Sequence, residues 1–555
     1  MKYVKMVNIY LKEIVMTKKT SKNNKAQGFT RSSGILLHPT SLPSQYGMGD
    51  LGKNAYEFVD FLKESNQKLW QVLPLGPTGF GDSPYQSFSS FAGNHYLISP
   101  DELKKQGFLS DEDLSDIPDF DPRSIDYGPV IIYKMRLLIK AFENFKLKAT
   151  PAQKSKLTKF SKENKKWLDD YALFVAIKAH FINERKNEYE SEGLKTFAED
   201  NKEFLTDDQI KDYYYGAVWG SWPEGLKNRD KIALKEMETK LSNEIDFCKF
   251  LQYEFFREWV LLKEYANEAD IKIIGDIPIF VAGDSSDVWA HRELYQLDKD
   301  GNPTAVAGCP PDYFAETGQL WGNPLYNWEE HKKTDYAWWA SRFEAVLSMV
   351  DIVRIDHFRG FETYWATPYG EKTAENGKWI KGPAKSFFNS IKKQLGSLPI
   401  IAEDLGEITD KVRELRDSLS LPGMRILHFA YGSDNENLYL PHSYETNLTV
   451  VYTGTHDNNT TVGWYEEATE KEKDYLRRYL NINGNDIAWD LIRQAFSTNA
   501  VYAIVPLQDI MSLGTNDRMN TPGIASGWWK FRYTSDMLKP EYNERLTYLT
   551  ELFNR

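Results

Sequence analysis

The chain has 555 residues, of which 41% are hydrophobic and 27% charged, and it carries a formal net charge of −12. This composition is typical of a soluble globular protein, and the acidic balance disfavours one that wraps nucleic acid or an anionic membrane. The two cysteines, Cys248 and Cys309, form no spaced pattern with histidine, so neither a zinc site nor a disulfide framework is expected.

The N-terminal segment has the properties of an extension. Its basic start has no clean apolar core and no small-residue cleavage site, so we do not expect a secretory signal. Residues 17–27 are polar and Lys-rich, which predicts disorder. Either Met1 or Met16 is the true start, and we expect residues 1–30 to be a disordered or artefactual extension. No apolar run reaches the roughly 18–20 residues of a membrane span, and we expect a cytoplasmic protein with no membrane partner.

Eight short β-branched runs follow, each ending in a polar, Gly- or Pro-marked segment. Most of them lack alternation, as do parallel strands that are buried on both faces. They span residues 34–37, 69–73, 271–275, 350–355, 400–402, 424–429, 449–452 and 501–505. Helical patterns lie between many of them, and the clearest, over residues 246–269, places Phe255 and Trp259 on one face. Residues 31–555 are therefore predicted to form an α/β fold, a (β/α)8 TIM barrel.

Two long stretches interrupt the strand pattern. Residues 101–243 are charged, helical in pattern and poor in strand signals, which predicts a helical insertion subdomain. Residues 277–349 are rich in Trp, Tyr, Gly and Pro and poor in periodicity. Because loops of that length are usually functional, we expect residues 277–349 to be a long loop region that covers the substrate.

Three of the predicted strands run into acidic residues. The fourth strand leads to Asp356, the fifth to Glu403 and the seventh to Asp457. In a barrel of this type the chemistry sits where the strands end, so the three carboxylates can converge. Glycoside chemistry needs such a set, because one carboxylate attacks the anomeric carbon while a second, protonated one donates to the leaving oxygen. A retaining pair stands about 5–5.5 Å apart.

The neighbouring residues suit these two roles. Arg354 precedes Asp356 by two positions, so both side chains leave the same face of the strand and the guanidinium favours the ionised carboxylate. Glu403 must instead stay protonated, which implies a less polar setting. Taken singly, the three motifs could be an ion pair, a helix cap and a turn. Their joint order on strands four, five and seven favours the catalytic interpretation.

Several long sequence strings extend the pattern over the chain. They are Gly34-Ile-Leu-Leu-His38-Pro-Thr-Ser-Leu-Pro-Ser, Trp70-Gln-Val-Leu-Pro-Leu-Gly-Pro-Thr, Gly81-Asp-Ser-Pro-Tyr85-Gln-Ser-Phe, and Gly308-Cys-Pro-Pro-Asp312-Tyr-Phe-Ala-Glu-Thr-Gly-Gln-Leu-Trp-Gly-Asn. With these strings the sequence resembles the 4-α-glucanotransferase family (amylomaltase, or disproportionating enzyme) of the α-amylase clan, from about Ser33 to the C-terminus. One departure is His95, where the family pattern leads us to expect Pro.

The resemblance implies a role for each site residue. It makes Asp356 the nucleophile, Glu403 the general acid/base and Asp457 the residue that grips sugar hydroxyls in the transition state. The subsite for the reacting glucose would be lined by Arg354, His357 and His456. Tyr85 would stack on that ring, and Asp276 would bind nearby. The segment 312–321 resembles the family's substrate-covering loop, whose substrate-binding residues would be Tyr313, Phe314, Gln319 and Trp321.

The activity that the resemblance implies is retaining transfer of an α-1,4-glucan segment to the 4-hydroxyl of another glucan or of glucose. Its partners would be malto-oligosaccharides, glucans derived from starch or glycogen, and glucose as acceptor, with no nucleic acid. A retaining α-1,4-glucan hydrolase of the same clan is the alternative, since it would use the same carboxylates. No organic cofactor is expected and no metal, because the chain has no EF-hand-like loop and the family pattern calls for no calcium.

A lid would favour transfer over hydrolysis. Tyr313, Phe314 and Trp321 could shield the intermediate from water, although the same rings could instead pack the barrel mouth. If they form a lid, replacing Tyr313 and Phe314 with Ala should raise the ratio of hydrolysis to transfer.

Overall fold

The strands form two sheets in the computed structural model, which describes residues 29–185, 195, 198–199, 202, 210, 218–311, 316–524 and 527–555. Over these residues the strands are β1 Ser32–Leu36, β2 Leu69–Gln71, β3 Lys272–Pro278, β4 Ala305–Cys309, β5 Gln319–Pro324, β6 Ile352–Asp356, β7 Thr363–Pro368, β8 Lys378–Lys381, β9 Ile400–Ala402, β10 Gly423–Ile426, β11 Thr449–Tyr452 and β12 Tyr502–Pro506.

The larger sheet has eight parallel strands in the order β10-β11-β12-β1-β2-β3-β6-β9. Each predicted run overlaps one of these strands, and the sheet curls into the predicted (β/α)8 barrel. Their ends differ by a few residues from the prediction. The run 424–429, for example, is a strand only as far as Ile426, because Leu427–Phe429 turns into a 3-10 helix whose His428 N–H reaches the Thr453 carbonyl.

Helices account for most of the remaining regular structure. The α-helices in the described ranges are Lys53–Glu64, Pro100–Lys105, Tyr127–Lys148, Pro151–Glu163, Lys165–Arg185, Glu224–Lys227, Lys231–Lys240, Ser242–Glu268, Ser286–Ala290, Trp328–Lys333, Ala337–Met349, Ala384–Leu395, Asp410–Ser418, Thr461–Glu467, Glu470–Leu480, Ile487–Ser497, Leu507–Ile510 and Pro540–Phe553. None of them is long and apolar enough to cross a membrane.

The helix Ser242–Glu268 includes all but the last residue of the predicted helical run 246–269 and packs against the barrel wall. Its Trp259 is fully buried, donates a hydrogen bond to the Met349 carbonyl at 2.9 Å, and lies 6.4 Å from the ring of Trp70 on β2. Trp70 in turn donates to the Leu37 carbonyl at 2.8 Å. Burial of two such rings with both N–H groups satisfied stabilises the contact between helix and barrel.

The two predicted insertions are both ordered where they are described. Between residues 101 and 243 the regular elements of the described part are helical. Residues 277–349, predicted to be a long loop region, contain β4, β5 and the helices Ser286–Ala290, Trp328–Lys333 and Ala337–Met349. β4 and β5 belong to a second, antiparallel sheet of order β5-β4-β7-β8, which the sequence analysis missed. The substrate-covering role of 277–349 stays a prediction.

Residues 31–555 form one compact unit. Of residues 1–30 only Phe29 and Thr30 are described, so the expected disorder concerns residues outside the described part.

A side chain joins β9 to β10 where, among the described residues, no strand ladder does. The Asp404 carboxylate accepts a hydrogen bond from the Met424 N–H at 2.7 Å and forms an ion pair with Arg416. One backbone bond, from the Ala402 N–H to the Pro422 carbonyl at 2.9 Å, lies beside it. Gly423 is required here because a Cβ would stand 2.6 Å from an Asp404 carboxylate oxygen. We call this junction of Asp404 with β10 the seam.

Candidate active site

Three carboxylates stand at the carboxyl end of the barrel. Asp356 is the last residue of β6. Ile355 pairs with Ala402 in the parallel register, so Asp356 and Glu403 follow on neighbouring strands. Asp457 lies in the turn after β11. The structure therefore brings the three sequence-predicted carboxylates to one rim.

Arg354 connects two acidic residues below that rim. It pairs in register with Asp276 of β3, forms an ion pair with that carboxylate through Nη1, and places Nη2 3.0 Å from Oδ1 of Asp356. The side chains of Arg354 and Asp276 are buried, whereas that of Asp356 is 30% exposed. Asp356 is thus held by a cation on one side and open to a ligand on the other.

Asp276 is the buried carboxyl group of the two that contact Arg354. Burial raises its pKa to about 7, with the charge of Arg354 acting against the shift and that of Asp356 adding to it. Its Oδ2 accepts a hydrogen bond from the Tyr85 hydroxyl at 2.7 Å, which favours the ionised form. Asp276 therefore balances the charge of Arg354 and orients Tyr85.

Glu403 is held by two backbone amides. Its Oε2 accepts from the His357 N–H and its Oε1 from the Leu405 N–H, both at 2.7 Å. Those bonds favour the carboxylate, but desolvation and the nearby charge of Asp356 outweigh them and raise the pKa of Glu403 to about 8. The two carboxyl groups thus differ as an acid and a nucleophile must: Glu403 keeps its proton at neutral pH, and Asp356 faces Arg354.

The loop after β6 takes an uncommon backbone conformation to make this contact. His357 has φ 52°, in the left-handed region that costs a non-glycine residue roughly 1–2 kcal/mol. Its N–H reaches Glu403, and its ring meets Trp321 of β5 edge to face at 4.8 Å. Burial lowers the pKa of His357 to about 3, so the imidazole is neutral. Gln319 accepts from the Trp321 indole N–H at 3.2 Å.

An aromatic stack lies beside the carboxylates. The rings of Tyr85 and His456 are stacked, with centroids 5.2 Å apart and planes 12° from parallel, and Trp529 lies 5.8 Å from Tyr85. Burial lowers the pKa of His456, and Asp457, whose Oδ2 is 3.3 Å from its Nε2, opposes that shift. Such a wall suits the apolar face of a pyranose. Tyr313 and Phe314 lie outside the described residues.

Two residues that the sequence analysis missed orient Asp457. Asn520 donates from Nδ2 to Oδ1 of Asp457 at 2.6 Å, and Arg518 donates to the Asp457 carbonyl at 2.6 Å. Both follow β12, as does Trp529. Only the topology could have indicated these two residues, because the loop after the eighth barrel strand begins at the same rim as the loops after the other strands.

The described residues contain no group of three or more His, Cys, Asp or Glu side chains that could hold a metal ion. What converges at the rim is a carboxylate with a cation, a carboxyl group with a raised pKa, and an aromatic wall, which together suit bond exchange at a neutral sugar.

Comparison with known proteins relates this chain to one family. A family model described as 4-alpha-glucanotransferase matches residues 37–203 and 182–538. The 4-alpha-glucanotransferase of Synechocystis sp. is 47% identical, over 95% of this chain and 98% of its own, and that of Thermus thermophilus is 44% identical, over 95% and 99%. The structure of an amylomaltase from Streptococcus agalactiae in complex with acarbose superimposes with a TM-score of 0.86 at 38% identity, covering 95% of this chain and 99% of that one.

Proposed function

Because the chain belongs to the 4-alpha-glucanotransferase family, and so is an enzyme that transfers α-1,4-glucans, we propose that Asp356, Glu403 and Asp457 carry the transfer as a retaining double displacement. The observation that carries this proposal is the contrast between two neighbours. Asp356 is paired with Arg354 at 3.0 Å, while the pKa of Glu403 is raised to about 8. This is the division between nucleophile and acid that the mechanism requires.

In the first step Asp356 attacks the anomeric carbon of the donor glucan as Glu403 protonates the departing oxygen. A glycosyl–enzyme forms, and the leaving chain departs with the proton. In the second step the Glu403 carboxylate takes the proton of an incoming 4-hydroxyl, whose oxygen displaces Asp356. Two inversions retain the α configuration. Asp457, oriented by Asn520, binds hydroxyls of the reacting sugar.

Transfer requires a sugar hydroxyl to compete with water at roughly 55 M. Binding of the acceptor in register supplies the advantage, because well-oriented intramolecular reactions reach effective molarities of about 10⁵–10⁸ M. The aromatic rings around the site support such binding.

Azide rescue tests the assignment of roles. With α-maltosyl fluoride as donor, no proton is needed for departure, so the Glu403→Ala variant should still form the glycosyl–enzyme, and azide should give an α-glycosyl azide. In Asp356→Gly, azide should take the place of the missing nucleophile and give the β-glycosyl azide. Product anomers are read by NMR. The same anomer from both variants, or full activity in Asp356→Asn, would contradict the roles.

For substrates, we propose malto-oligosaccharide donors, including those derived from starch or glycogen, and glucose among the acceptors. Support comes from the amylomaltase of similar structure, whose complex contains acarbose. Incubation with maltotriose should give glucose and a ladder of longer products, whereas only shorter products would indicate hydrolysis. A chain with only two cysteines suits a reducing cytoplasm, which we propose as the compartment.

A further inference from the structure

A row of apolar residues crosses the antiparallel sheet. Trp379 of β8 pairs with Trp365 of β7, Trp365 pairs with Gly308 of β4, and Gly308 pairs with Leu320 of β5. Residues directly opposite in paired strands project from the same face. Trp379 and Leu320 are each 37% exposed. The sheet thus presents large apolar side chains to solvent from one face, in a place where they add little to the core.

Trp365 is fixed in place beside Trp379. Their centroids lie 5.1 Å apart with planes at 71°. Trp365 donates from Nε1 to the Ala374 carbonyl at 2.8 Å, and Gly377 packs so closely that a Cβ there would stand 2.1 Å from that nitrogen. A ligand that binds Trp379 therefore meets a ring whose support is already fixed, which lowers the entropic cost of binding.

Arg359 connects Trp379 to the loop of the acid/base. Its Cζ lies 3.9 Å from the centroid of the Trp379 ring, and its Nη1 donates to the Glu407 carbonyl, four residues after Glu403. Arg359 also stands two residues after His357, whose N–H binds Glu403. Arg359 therefore links Trp379 to the segment that follows Glu403, and in the proposed mechanism the acceptor approaches Glu403.

The chemistry of this surface selects its ligand. One partly exposed indole is far smaller than the roughly 800 Å² that a stable protein interface buries on each partner. It matches the apolar face of a single pyranose ring. Arg359 lies over one face of the indole, and 37% of the residue's surface remains exposed.

We propose that Trp379, supported by Trp365, is a stacking platform for a glucose unit of the acceptor glucan, remote from the 4-hydroxyl that reacts. The proposal rests on the proposed function of Glu403, which defines the acceptor side. The platform explains how the enzyme would prefer an oligosaccharide acceptor, long enough to reach Trp379, over glucose, which is not.

Acceptor selectivity tests the platform. With α-maltosyl fluoride as a fixed donor, kcat/KM is measured separately for maltotetraose and for glucose as acceptors. In Trp379→Ala the value for maltotetraose should fall about ten-fold, and that for glucose should stay unchanged. Trp379→Phe, which keeps a ring, should recover most of the loss. Tyr548→Ala is the matched control, since Tyr548 is 60% exposed on the C-terminal helix and should leave both values unchanged.

An equal loss for both acceptors, with or without a lower Tm, would overturn the platform, and so would unchanged selectivity. These outcomes are separate from a failure of the proposed function. If the wild-type enzyme transferred to neither acceptor, the function itself would fail. Transfer to both with the same selectivity in wild type and Trp379→Ala would refute the platform alone.

Discussion

The Nδ2 atom of Asn520 lies 2.6 Å from Oδ1 of Asp457, although the two residues are 63 positions apart in the chain. A hydrogen bond to a charged group contributes about 1.5–3 kcal/mol. If Asp457 acts only when its carboxylate is held in one orientation, Asn520→Ala should lower kcat with maltotriose about ten-fold or more, with a smaller change in KM. Steady-state kinetics measures both constants.

Asn520→Asp sharpens this test. It keeps the size of the side chain but places a second carboxylate beside Asp457, so the loss should exceed that of Asn520→Ala. Asn543→Ala serves as the control, because Asn543, on the helix Pro540–Phe553, bonds to an exposed carboxylate of Glu64. An Asn520→Asp variant as active as the wild type would show that this bond has no role.

The pKa of Glu403, raised to about 8, predicts an alkaline limit to activity. For maltotriose, kcat/KM should fall as pH rises through about 8, because Glu403 then lacks the proton that the leaving oxygen needs. With α-maltosyl fluoride as donor, this alkaline decrease (the alkaline limb) should be absent from the glycosylation step, since fluoride leaves without a proton. A limb of equal size with both donors would exclude Glu403 as its source.

The same shift links pH to stability. The folded-state pKa of about 8 exceeds the ordinary value of 4.5, so between these values the folded state binds more protons than the unfolded chain. The free energy of unfolding should therefore decrease as pH rises through that interval. Glu403→Gln lacks the titration, so its Tm should rise relative to that of the wild type from pH 5 to pH 8. A constant difference would contradict the shift.

Arg354 should be a large contributor to stability only while Asp276 is charged. Arg354→Met leaves a buried carboxylate without its cation, and removal of one partner of a buried pair costs about 3–5 kcal/mol. Adding Asp276→Asn should recover a large part of that loss. Chemical denaturation of the wild type, the two single variants and the double variant measures the coupling. Strictly additive effects would mean that the pair is not coupled.

Tyr85→Phe separates the hydroxyl group from the ring. The ring should still stack on His456, but Asp276 loses a bond of 2.7 Å that favours its charged form. The pKa of Asp276 should then rise above about 7. If Asp276 must be ionised for activity, the decrease of kcat/KM at acid pH (the acid limb) should move to higher pH, and activity at pH 7 should fall. Tyr85→Ala should lose the stack as well and raise KM. An unmoved acid limb in Tyr85→Phe would count against Asp276 as the titrating group.

Much of this architecture could be predicted from local pattern. Buried parallel strands appear as continuous β-branched runs, and topology alone brings their carboxyl ends together, so Asp356, Glu403 and Asp457 could be assigned to one rim. The helix Ala337–Met349 was not recognised, because the charged Arg342 is buried on the same face as Trp339 and Phe343 while Leu347 is only partly buried, which obscures the apolar period in the sequence.

Other features depend on contacts between distant segments. β5 contains Gly and Pro and has the composition of a loop, and it is a strand only because β4 lies beside it. Asn520 has no motif around it, and its role becomes visible only when the loop after β12 is folded against Asp457. Sequence periodicity contains no information on such pairings, whereas the family resemblance could point to Tyr85 and Asp276 residue by residue.

The seam has a consequence for motion. At Asp404 the barrel wall is closed by one carboxylate and one backbone bond rather than by a ladder, so local opening between β9 and β10 breaks fewer bonds than opening between β3 and β6, which pair over five residues. Amide hydrogens of Ala402 and Met424 should therefore exchange with deuterium sooner than those that bond across the ladder between β3 and β6. Glu403, the proposed acid/base, is adjacent to Asp404 in the chain, so this local opening should occur beside the group that we propose transfers the proton.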